Sequence, residues 1–166
     1  MSNPTRPKVA IVYGSASDAQ TMSKAGATLG RFGVEYEEAV LSAHRAPRTL
    51  AVWIEGLRER GFGVVIAGAG LAAALPGTVA ALTTLPVIGV PIKGGALDGI
   101  DALLAIAQMP PGVAVATVGL SNSTNAAILA VQILALGDAE LAEKLVTYKE
   151  DFEKAAADGL SAGASA

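Results

Sequence analysis

Two long stretches of this chain carry no charged side chain, at residues 61–92 and 102–137. Each is longer than the roughly 20 apolar residues that suffice to cross a membrane. Glycine and proline interrupt both stretches repeatedly, and a spanning helix must satisfy its backbone hydrogen bonds internally. The sequence therefore predicts no membrane segment. It predicts instead a soluble domain whose strands and helices are unusually buried, with subunit contacts burying more of its surface.

The length of 166 residues corresponds to one domain. The net charge of −3 leaves no general basic field, so the sequence predicts no nucleic-acid partner. The chain has no cysteine, which excludes disulfides and thiolate metal sites. It has a single histidine, His44, which has to serve any chemistry that needs an imidazole.

Short apolar runs typical of strands alternate five times with helical patterns. The predicted strands are residues 8–13, 34–41, 64–67, 87–90 and 113–118, and the predicted helices are 17–31, 47–60, 76–83, 98–108, 122–136 and 138–157. This alternation predicts an α/β domain with a parallel sheet covered on both faces. Residues 1–157 are expected to form a single catalytic domain, and the small, polar tail 158–166 to be disordered.

The second strand, which is more polar than the others, is expected near an edge of the sheet. The helix at 122–136 is apolar all round, so we expect it to pack between subunits rather than face solvent. In parallel sheets, ligands bind beyond the carboxyl ends of the strands. The loops that follow the first three strands are therefore the candidate site.

The first of these loops is Gly14-Ser-Ala-Ser-Asp18. Small hydroxylated residues at the start of a helix form an anion site from backbone N–H groups and the helix dipole. Asp18 could accept hydrogen bonds from ribose hydroxyls. The alternative is an ordinary tight turn in which Ser17 is the N-cap and Gln20 completes a capping box.

The second loop is Ser42-Ala-His-Arg-Ala-Pro47. Arg45 is suited to bidentate contact with a phosphate, although a surface ion pair of little energetic value is the alternative. His44 is either structural or an acid–base group. Its place beside Arg45, beyond a strand end, favours acid–base work on a phosphorylated substrate.

The third loop begins with Gly68-Ala-Gly70, predicted as a turn. With Ala73 these glycines match a relaxed dinucleotide fingerprint, G-x-G-x-x-A. The acid that this fingerprint expects after the next strand is replaced by Val90-Pro91. Close approach of the backbone to a flat ligand explains the glycines better.

These motifs occur together with others in a specific order. They are Gly-Ser-x-Ser-Asp, Ser-Ala-His-Arg-x-Pro, Ala-Gly-Ala-Gly and Leu-Pro-Gly, followed by Leu85-Pro-Val-Ile-Gly-Val-Pro91, Leu97-Asp-Gly-Ile-Asp101, Gln108-Met-Pro110 and Asn125-Ala-Ala-Ile-Leu129. In that order and spacing, residues 8–148 resemble the 5-(carboxyamino)imidazole ribonucleotide mutase family of purine biosynthesis.

The resemblance implies a flavodoxin-like three-layer αβα sandwich with a five-stranded parallel sheet. It implies a cytoplasmic homo-octamer with no metal and no cofactor. The reaction it implies moves a carboxylate from the exocyclic nitrogen of an aminoimidazole ribonucleotide to ring carbon 4. An ATP-dependent carboxyaminoimidazole ribonucleotide synthase would supply the substrate.

The resemblance also implies a role for each candidate residue. His44 would be the general acid–base. The substrate-binding residues would be Ser15 and Arg45 at the phosphate, Asp18 at the ribose, Ser17 and Ser42 in added contacts, and Ala69, Gly70 and Leu75 around the base and carboxylate. The chain departs from the family pattern at Ala74, where histidine is common, and at Leu71, where glycine is frequent.

Three other functions are compatible with parts of this pattern. One is a related carboxylase that uses aminoimidazole ribonucleotide and free carbon dioxide. Another is a non-catalytic nucleotide-binding module, suggested by the missing second histidine at Ala74. The third is a flavin or nicotinamide protein, suggested by fold analogy alone.

Overall fold

The structure, a computed structural model, describes the backbone of residues 6–163 and the side chains of residues 6–158. It contains a five-stranded sheet in the order β2-β1-β3-β4-β5 in which every strand pair is parallel, as predicted. The strands are β1 (Lys8–Tyr13), β2 (Tyr36–Val40), β3 (Phe62–Gly70), β4 (Val87–Ile92) and β5 (Ala116–Thr117). The helices are α1 (Ala19–Phe32), α2 (Pro47–Glu55), α3 (Leu75–Leu82), α4 (Ile100–Ala107), α5 (Ser123–Ala135) and α6 (Ala139–Gly163).

Two hydrophobic cores lie on opposite faces of the sheet. In β1, Val9 and Ile11 face the core formed with α1, α5 and α6, whereas Ala10 and Val12 face the core formed with α2, α3 and α4. Successive side chains of a strand point to opposite faces, so a strand covered on both sides has to be apolar throughout. The three-layer, flavodoxin-like arrangement predicted from the sequence is confirmed.

The edge position predicted for the second strand is confirmed, since β2 pairs only with β1. Its side chains alternate between exposed and half-buried, in contrast to the fully buried β4. None of the helices in the described part of the chain is long and apolar enough to cross a membrane.

The apolar helix α5 packs within the chain itself. It lies against α1, α6 and strands β3 and β4. Ala126, Ala127, Ala130 and Val131 are fully buried there, and Asn125 and Gln132 provide the exposed side. Cover by α1 and α6 within the chain accounts for much of its all-round apolar sequence, and the packing between subunits that we expected from the sequence stays a prediction.

Strand β3 is longer than predicted and strand β5 is shorter. β3 continues through Gly70, so Gly68-Ala-Gly70 is strand and not a turn. There, the β3 residues Gly68, Ala69 and Gly70 keep pairing with Val90, Pro91 and Ile92 of β4. β5 has only two residues: residues 113–115 do not pair with β4, and beyond Thr117 the ladder stops where Pro91 has no N–H to donate.

Two helix ends also differ from the prediction. α2 ends at Glu55, where Gly56 follows and Leu57 N–H bonds the Ile54 carbonyl in the tighter three-residue pattern. α6 extends to Gly163, because the alanines at 155–157 are strong helix formers that carry it into the segment predicted to be disordered. The remainder of that predicted tail, residues 164–166, lies outside the described residues.

Candidate active site

A cavity of about 580 Å³ lies at the carboxyl ends of β1, β3 and β4. Strands β2 and β3 lie on opposite sides of β1, so the strand order reverses beside the cavity. Ligands of open parallel sheets bind at such switch points. Four segments line the cavity: residues 14–18 except Ala16, 42–45, 69–75 except Ala72, and 92–95.

The segment after β1 forms a short turn rather than entering α1 directly. A single 3-10 turn (Ala16–Asp18) comes first, and Ser15 caps it. The Ser15 Oγ accepts hydrogen bonds from the Ser17 N–H (3.4 Å) and from the Ser17 hydroxyl (3.0 Å). The prediction that Ser17 caps the helix is wrong: Ser15 caps the 3-10 turn, and Asp18 occupies the N-cap position of α1 without a side-chain cap bond. The hydroxyls of Ser15 and Ser17 therefore lie together at the start of the helical segment, where an anion is favoured.

Asp18 closes this turn with a partly buried carboxylate. Burial raises the pKa of the Asp18 carboxyl group above its ordinary value, and hydrogen bonds from Ser17 and from the Ser15 backbone offset part of that effect. The Ser17 hydroxyl lies 3.4 Å from Asp18 Oδ1. Asp18 thus presents a partly desolvated acceptor to the cavity, which favours hydroxyl donors such as those of a ribose.

The loop between β2 and α2 brings His44 and Arg45 to the cavity. Its turn is closed by bonds to Ser42, whose carbonyl accepts from the Ala46 N–H at 2.9 Å and whose hydroxyl accepts from the Arg45 N–H at 3.3 Å. Arg45 Nη2 donates to the Gly14 carbonyl at 2.8 Å, so the guanidinium reaches the loop after β1. His44 lines the cavity with an exposed side chain, free of close packing that would hold it away from a ligand.

The end of β3 and the start of α3 form an apolar wall. Ala69, Ala73 and Leu75 are each at most 7% exposed and line the cavity. A Cβ added to Gly70 would lie 3.2 Å from the Ile92 carbonyl oxygen, so glycine permits the close approach of β3 and β4 there. This wall leaves a small volume without polar side chains.

Leu71 continues this wall at the rim of the cavity. Its backbone is left-handed, with φ of 53°, which costs a non-glycine residue about 1–2 kcal/mol. The side chain packs over Gly95, where a Cβ would collide with it. A glycine at this position would need no such strain, so Leu71 joins the wall to the loop after β4 at a conformational cost.

The cavity brings together all nine residues that the sequence singled out. They are His44, Ser15, Ser17, Asp18, Ser42, Arg45, Ala69, Gly70 and Leu75. Ala74 also lines it. Sequence reasoning missed the segment after β4, including Lys93. The sequence does mark Lys93 as the first charged residue after the uncharged stretch 61–92. Its place at the cavity, however, depends on β4 lying next to β3.

The described residues contain no group of three or more histidine, cysteine, aspartate or glutamate side chains placed to hold a metal ion. The polar groups at the cavity are the serine hydroxyls, Asp18, His44, Arg45 and Lys93. Such a set can bind an anion, accept hydrogen bonds from hydroxyls and exchange a proton with a ligand.

Comparison with known proteins places this cavity in a family context. The family model described as AIR carboxylase matches residues 8–155. The N5-carboxyaminoimidazole ribonucleotide mutase of Pyrococcus abyssi is 53% identical, over 89% of this chain and 85% of that protein. The phosphoribosylaminoimidazole carboxylase of Saccharomyces cerevisiae is 52% identical over 86% of this chain, but only 25% of that longer protein is matched.

The fold comparison gives the same result. The crystal structure of Treponema denticola PurE matches with a TM-score of 0.83 at 29% identity. The match covers 92% of this chain and 96% of that one. The three-layer architecture described above is therefore shared with a solved structure over nearly its whole length.

Proposed function

The chain belongs to the AIR carboxylase family, and on this premise we propose that it is an N5-carboxyaminoimidazole ribonucleotide mutase. It is then an isomerase of purine biosynthesis that moves a carboxylate from the exocyclic nitrogen to ring carbon 4. The observation that carries this proposal is the single cavity that joins the serine loop, the His44–Arg45 loop and the apolar wall.

Substrate binding follows from the polar side of the cavity. Ser15 and Arg45 bind the phosphate, because the guanidinium already reaches the loop whose hydroxyls surround the helical start. Asp18 accepts hydrogen bonds from the ribose hydroxyls. Ser17 and Ser42 add contacts from either side, since both line the same cavity.

His44 serves as the general acid and then as the general base. Its imidazolium gives a proton to the carbamate nitrogen, the N–C bond breaks, and carbon dioxide is released beside the ring. Carbon 4 attacks the carbon dioxide and forms the new C–C bond. The neutral imidazole then removes the proton from carbon 4, which restores the aromatic ring and the starting charge of His44. A positioned acid–base group of this kind contributes roughly a hundredfold to ten-thousandfold.

The apolar wall retains the carbon dioxide between these two steps. Ala69, Ala73 and Leu75 are buried and offer no nucleophile to the intermediate. Holding the two reactants together converts a bimolecular step into an effectively unimolecular one. An apolar wall beside the base therefore favours transfer within the site over escape to solvent.

We also propose that the chain works as a homo-octamer in the cytoplasm. Support for assembly comes from α4 and the loop before it, where Leu97 of the loop and Ile100 and Leu104 of the helix are 60%, 50% and 50% exposed. Within the described residues, the buried Oδ1 of Asp101 on the same helix has no hydrogen-bond partner. An exposed apolar face of this kind marks an interaction site. The substrate's carbamate is labile, so its supply fits an ATP-dependent carboxyaminoimidazole ribonucleotide synthase in the same compartment.

The decisive experiment is conversion of purified N5-carboxyaminoimidazole ribonucleotide without added bicarbonate or metal. We expect 4-carboxy-5-aminoimidazole ribonucleotide to form. Chromatographic separation of the two isomers measures how much of it is produced. Labelled bicarbonate in the medium should not enter the product, because the carbon dioxide stays in the site.

A carboxylase is the second candidate, favoured by the similarity to the yeast phosphoribosylaminoimidazole carboxylase. It would take 5-aminoimidazole ribonucleotide and free carbon dioxide. Activity on that ribonucleotide only with added bicarbonate, together with no conversion of the carbamate, would replace the mutase with this function.

A further inference from the structure

Lys93 lies at the carboxyl end of β4, on the side of the cavity away from the serine loop. The loop of Ser15 follows β1, the apolar wall follows β3, and Lys93 follows β4, in the spatial order β1-β3-β4. Adjacent strands are about 4.8 Å apart, so the ends of β1 and β4 are separated by roughly 10 Å. A ribonucleotide whose phosphate lies at β1 and whose base lies at β3 therefore points the far edge of its base toward β4.

The ammonium group of Lys93 is held by the loop that follows it. Its Nζ pairs with Asp98 Oδ2 at 2.9 Å, and its backbone N–H donates to the Ser121 hydroxyl at 3.0 Å. The loop returns tightly because Gly99 adopts φ of 94°, and a Cβ there would lie 3.0 Å from the Lys93 Cα. This return brings the Asp98 carboxylate to Lys93.

The charged side chains around the cavity include one cation, Lys93, to which no substrate group has yet been assigned. Among the described residues that line it, the fixed charges are those of Asp18, Arg45 and Lys93. The proposed substrate carries two anionic groups, the phosphate and the carboxylate. Arg45 reaches the phosphate loop, so Lys93 is the remaining cation, and it lies toward the end of the base that bears the carboxylate.

We propose that Lys93 binds the substrate carboxylate at the edge of the base remote from the phosphate, and that Asp98 positions it. This assignment rests on the proposed mutase function. The carboxylate is charged both in the carbamate and in the 4-carboxy product, and it loses its charge in the carbon dioxide between them. An interaction made with substrate and product alike contributes to binding more than to the chemical step. The contact weakens as the carboxylate loses its charge, so loss of Lys93 should raise KM without lowering kcat.

Lys93→Met tests the assignment through two ligands that differ only by a carboxylate. We expect affinity for 4-carboxy-5-aminoimidazole ribonucleotide to fall about threefold to tenfold, a range set by a charge-assisted contact at a side chain that is 58% exposed. Affinity for 5-aminoimidazole ribonucleotide should stay the same. In turnover, KM should rise by the same factor, with no fall in kcat.

Lys154→Met is the matched control. Lys154 pairs with Asp151 at 3.8 Å, is 69% exposed on α6, and does not line the cavity. The Lys154→Met substitution removes the same charge and should leave the affinities for both ribonucleotides unchanged. Asp98→Asn keeps the charge of Lys93 but loses its partner, and should weaken binding of the carboxylated ligand less than Lys93→Met does.

Two results would overturn the assignment. Equal loss of affinity for both ribonucleotides would place Lys93 at the phosphate or ribose, and unchanged affinity for both would remove it from the site. Failure of the mutase proposal can be distinguished from failure of this assignment. In that case Lys93→Met would still weaken binding of the carboxylated ribonucleotide alone, but the wild-type protein would not convert the carbamate.

Discussion

His44 is the single imidazole of the chain, and the loop between β2 and α2 presents it to the cavity without burying it. A group that both gives and takes a proton during one turnover needs an accessible nitrogen and a ligand held next to it. The bonds that Ser42 makes to Arg45 and Ala46 fix the turn on which His44 lies. Acid–base work and substrate binding are thus assigned to neighbouring but different side chains, which can be tested separately.

His44→Asn should abolish turnover and leave substrate binding intact. Asparagine keeps a polar side chain in an exposed position but does not exchange protons in this way, so we expect kcat to fall roughly a hundredfold to ten-thousandfold. Affinity for the 4-carboxy ribonucleotide, measured by calorimetry, should be unchanged. A variant that retained the wild-type rate would show that another group transfers the proton.

Asp18→Asn should separate stability from binding. Because burial raises the pKa of Asp18, the folded protein binds its proton more tightly than the unfolded chain does. Stability from this group is present at low pH and is lost as pH rises from the ordinary pKa through the raised one. At neutral pH the variant should therefore have a Tm equal to or above that of the wild-type protein, while its affinity for the ribonucleotide falls.

The measurement is Tm against pH for both proteins. The advantage of Asp18→Asn should shrink as the pH falls and Asp18 becomes protonated in the wild-type protein. An advantage that grew toward acid pH would contradict the direction of the pKa shift. Asp151→Asn on the exposed face of α6 serves as the control for loss of one carboxylate.

Residue types in short loops were enough to select the nine candidates that now lie at one cavity. Their chemistry is local, since hydroxyls, a carboxylate, an imidazole and a guanidinium follow strands in recognisable order. Lys93 could not be found in this way. Its relevance comes from the pairing of β4 with β3 and from the return of the loop through Gly99, neither of which is visible in the residues around it.

At the scale of elements, the close contact of β4 with its covering helices depends on Gly89. A Cβ there would overlap the Ile106 side chain of α4 and lie 2.9 Å from Val115 Cγ1. Ile106 is fully buried and has no room to move away. The absence of a side chain at Gly89 therefore sets how closely α4 and the approach to β5 pack on the sheet.

Gly89→Ala and Gly30→Ala should change stability in opposite directions. We expect Gly89→Ala to destabilise the protein by about 1–3 kcal/mol, the usual cost of overpacking a core. Gly30, in α1, has open space where a Cβ would be added, so alanine there should stabilise the helix by about 0.5–1 kcal/mol. Urea denaturation of the two variants measures both effects, and equal signs would contradict the packing described for β4.

The sequence predicted the type and the order of the helices and strands, but it predicted their first and last residues less accurately. Apolar runs and capping residues such as Asn122, which accepts a bond from the Asn125 N–H, mark elements locally. The length of β3 and the shortness of β5 depend on the neighbouring strand instead, because a strand lasts as long as its partner offers hydrogen bonds. Pro91 has no N–H with which β4 could continue its pairing with β5 beyond Thr117.

At the scale of the whole molecule, the exposed face of α4 is where we expect copies of this chain to meet. Leu104→Glu should break the assembly, because a carboxylate buried against apolar side chains without a partner is unfavourable by several kcal/mol. Sedimentation should show a wild-type octamer and smaller species for the variant. The control is Val52→Glu on α2, where the residue is 74% exposed, and its assembly should be intact. A wild-type monomer at micromolar concentration would contradict the proposal.

The sequence by itself determined the fold class, the order of the elements and the chemistry of three loops. Hydrophobic periodicity and the residue types at strand ends are local properties, and they are read directly from the chain. The tertiary structure decided which strands are neighbours, that α6 covers α5, and that Lys93 joins the cavity. These depend on contacts between residues far apart in sequence, such as β1 with β3 and β3 with β4, whose energies come from packing and pairing that no short segment contains.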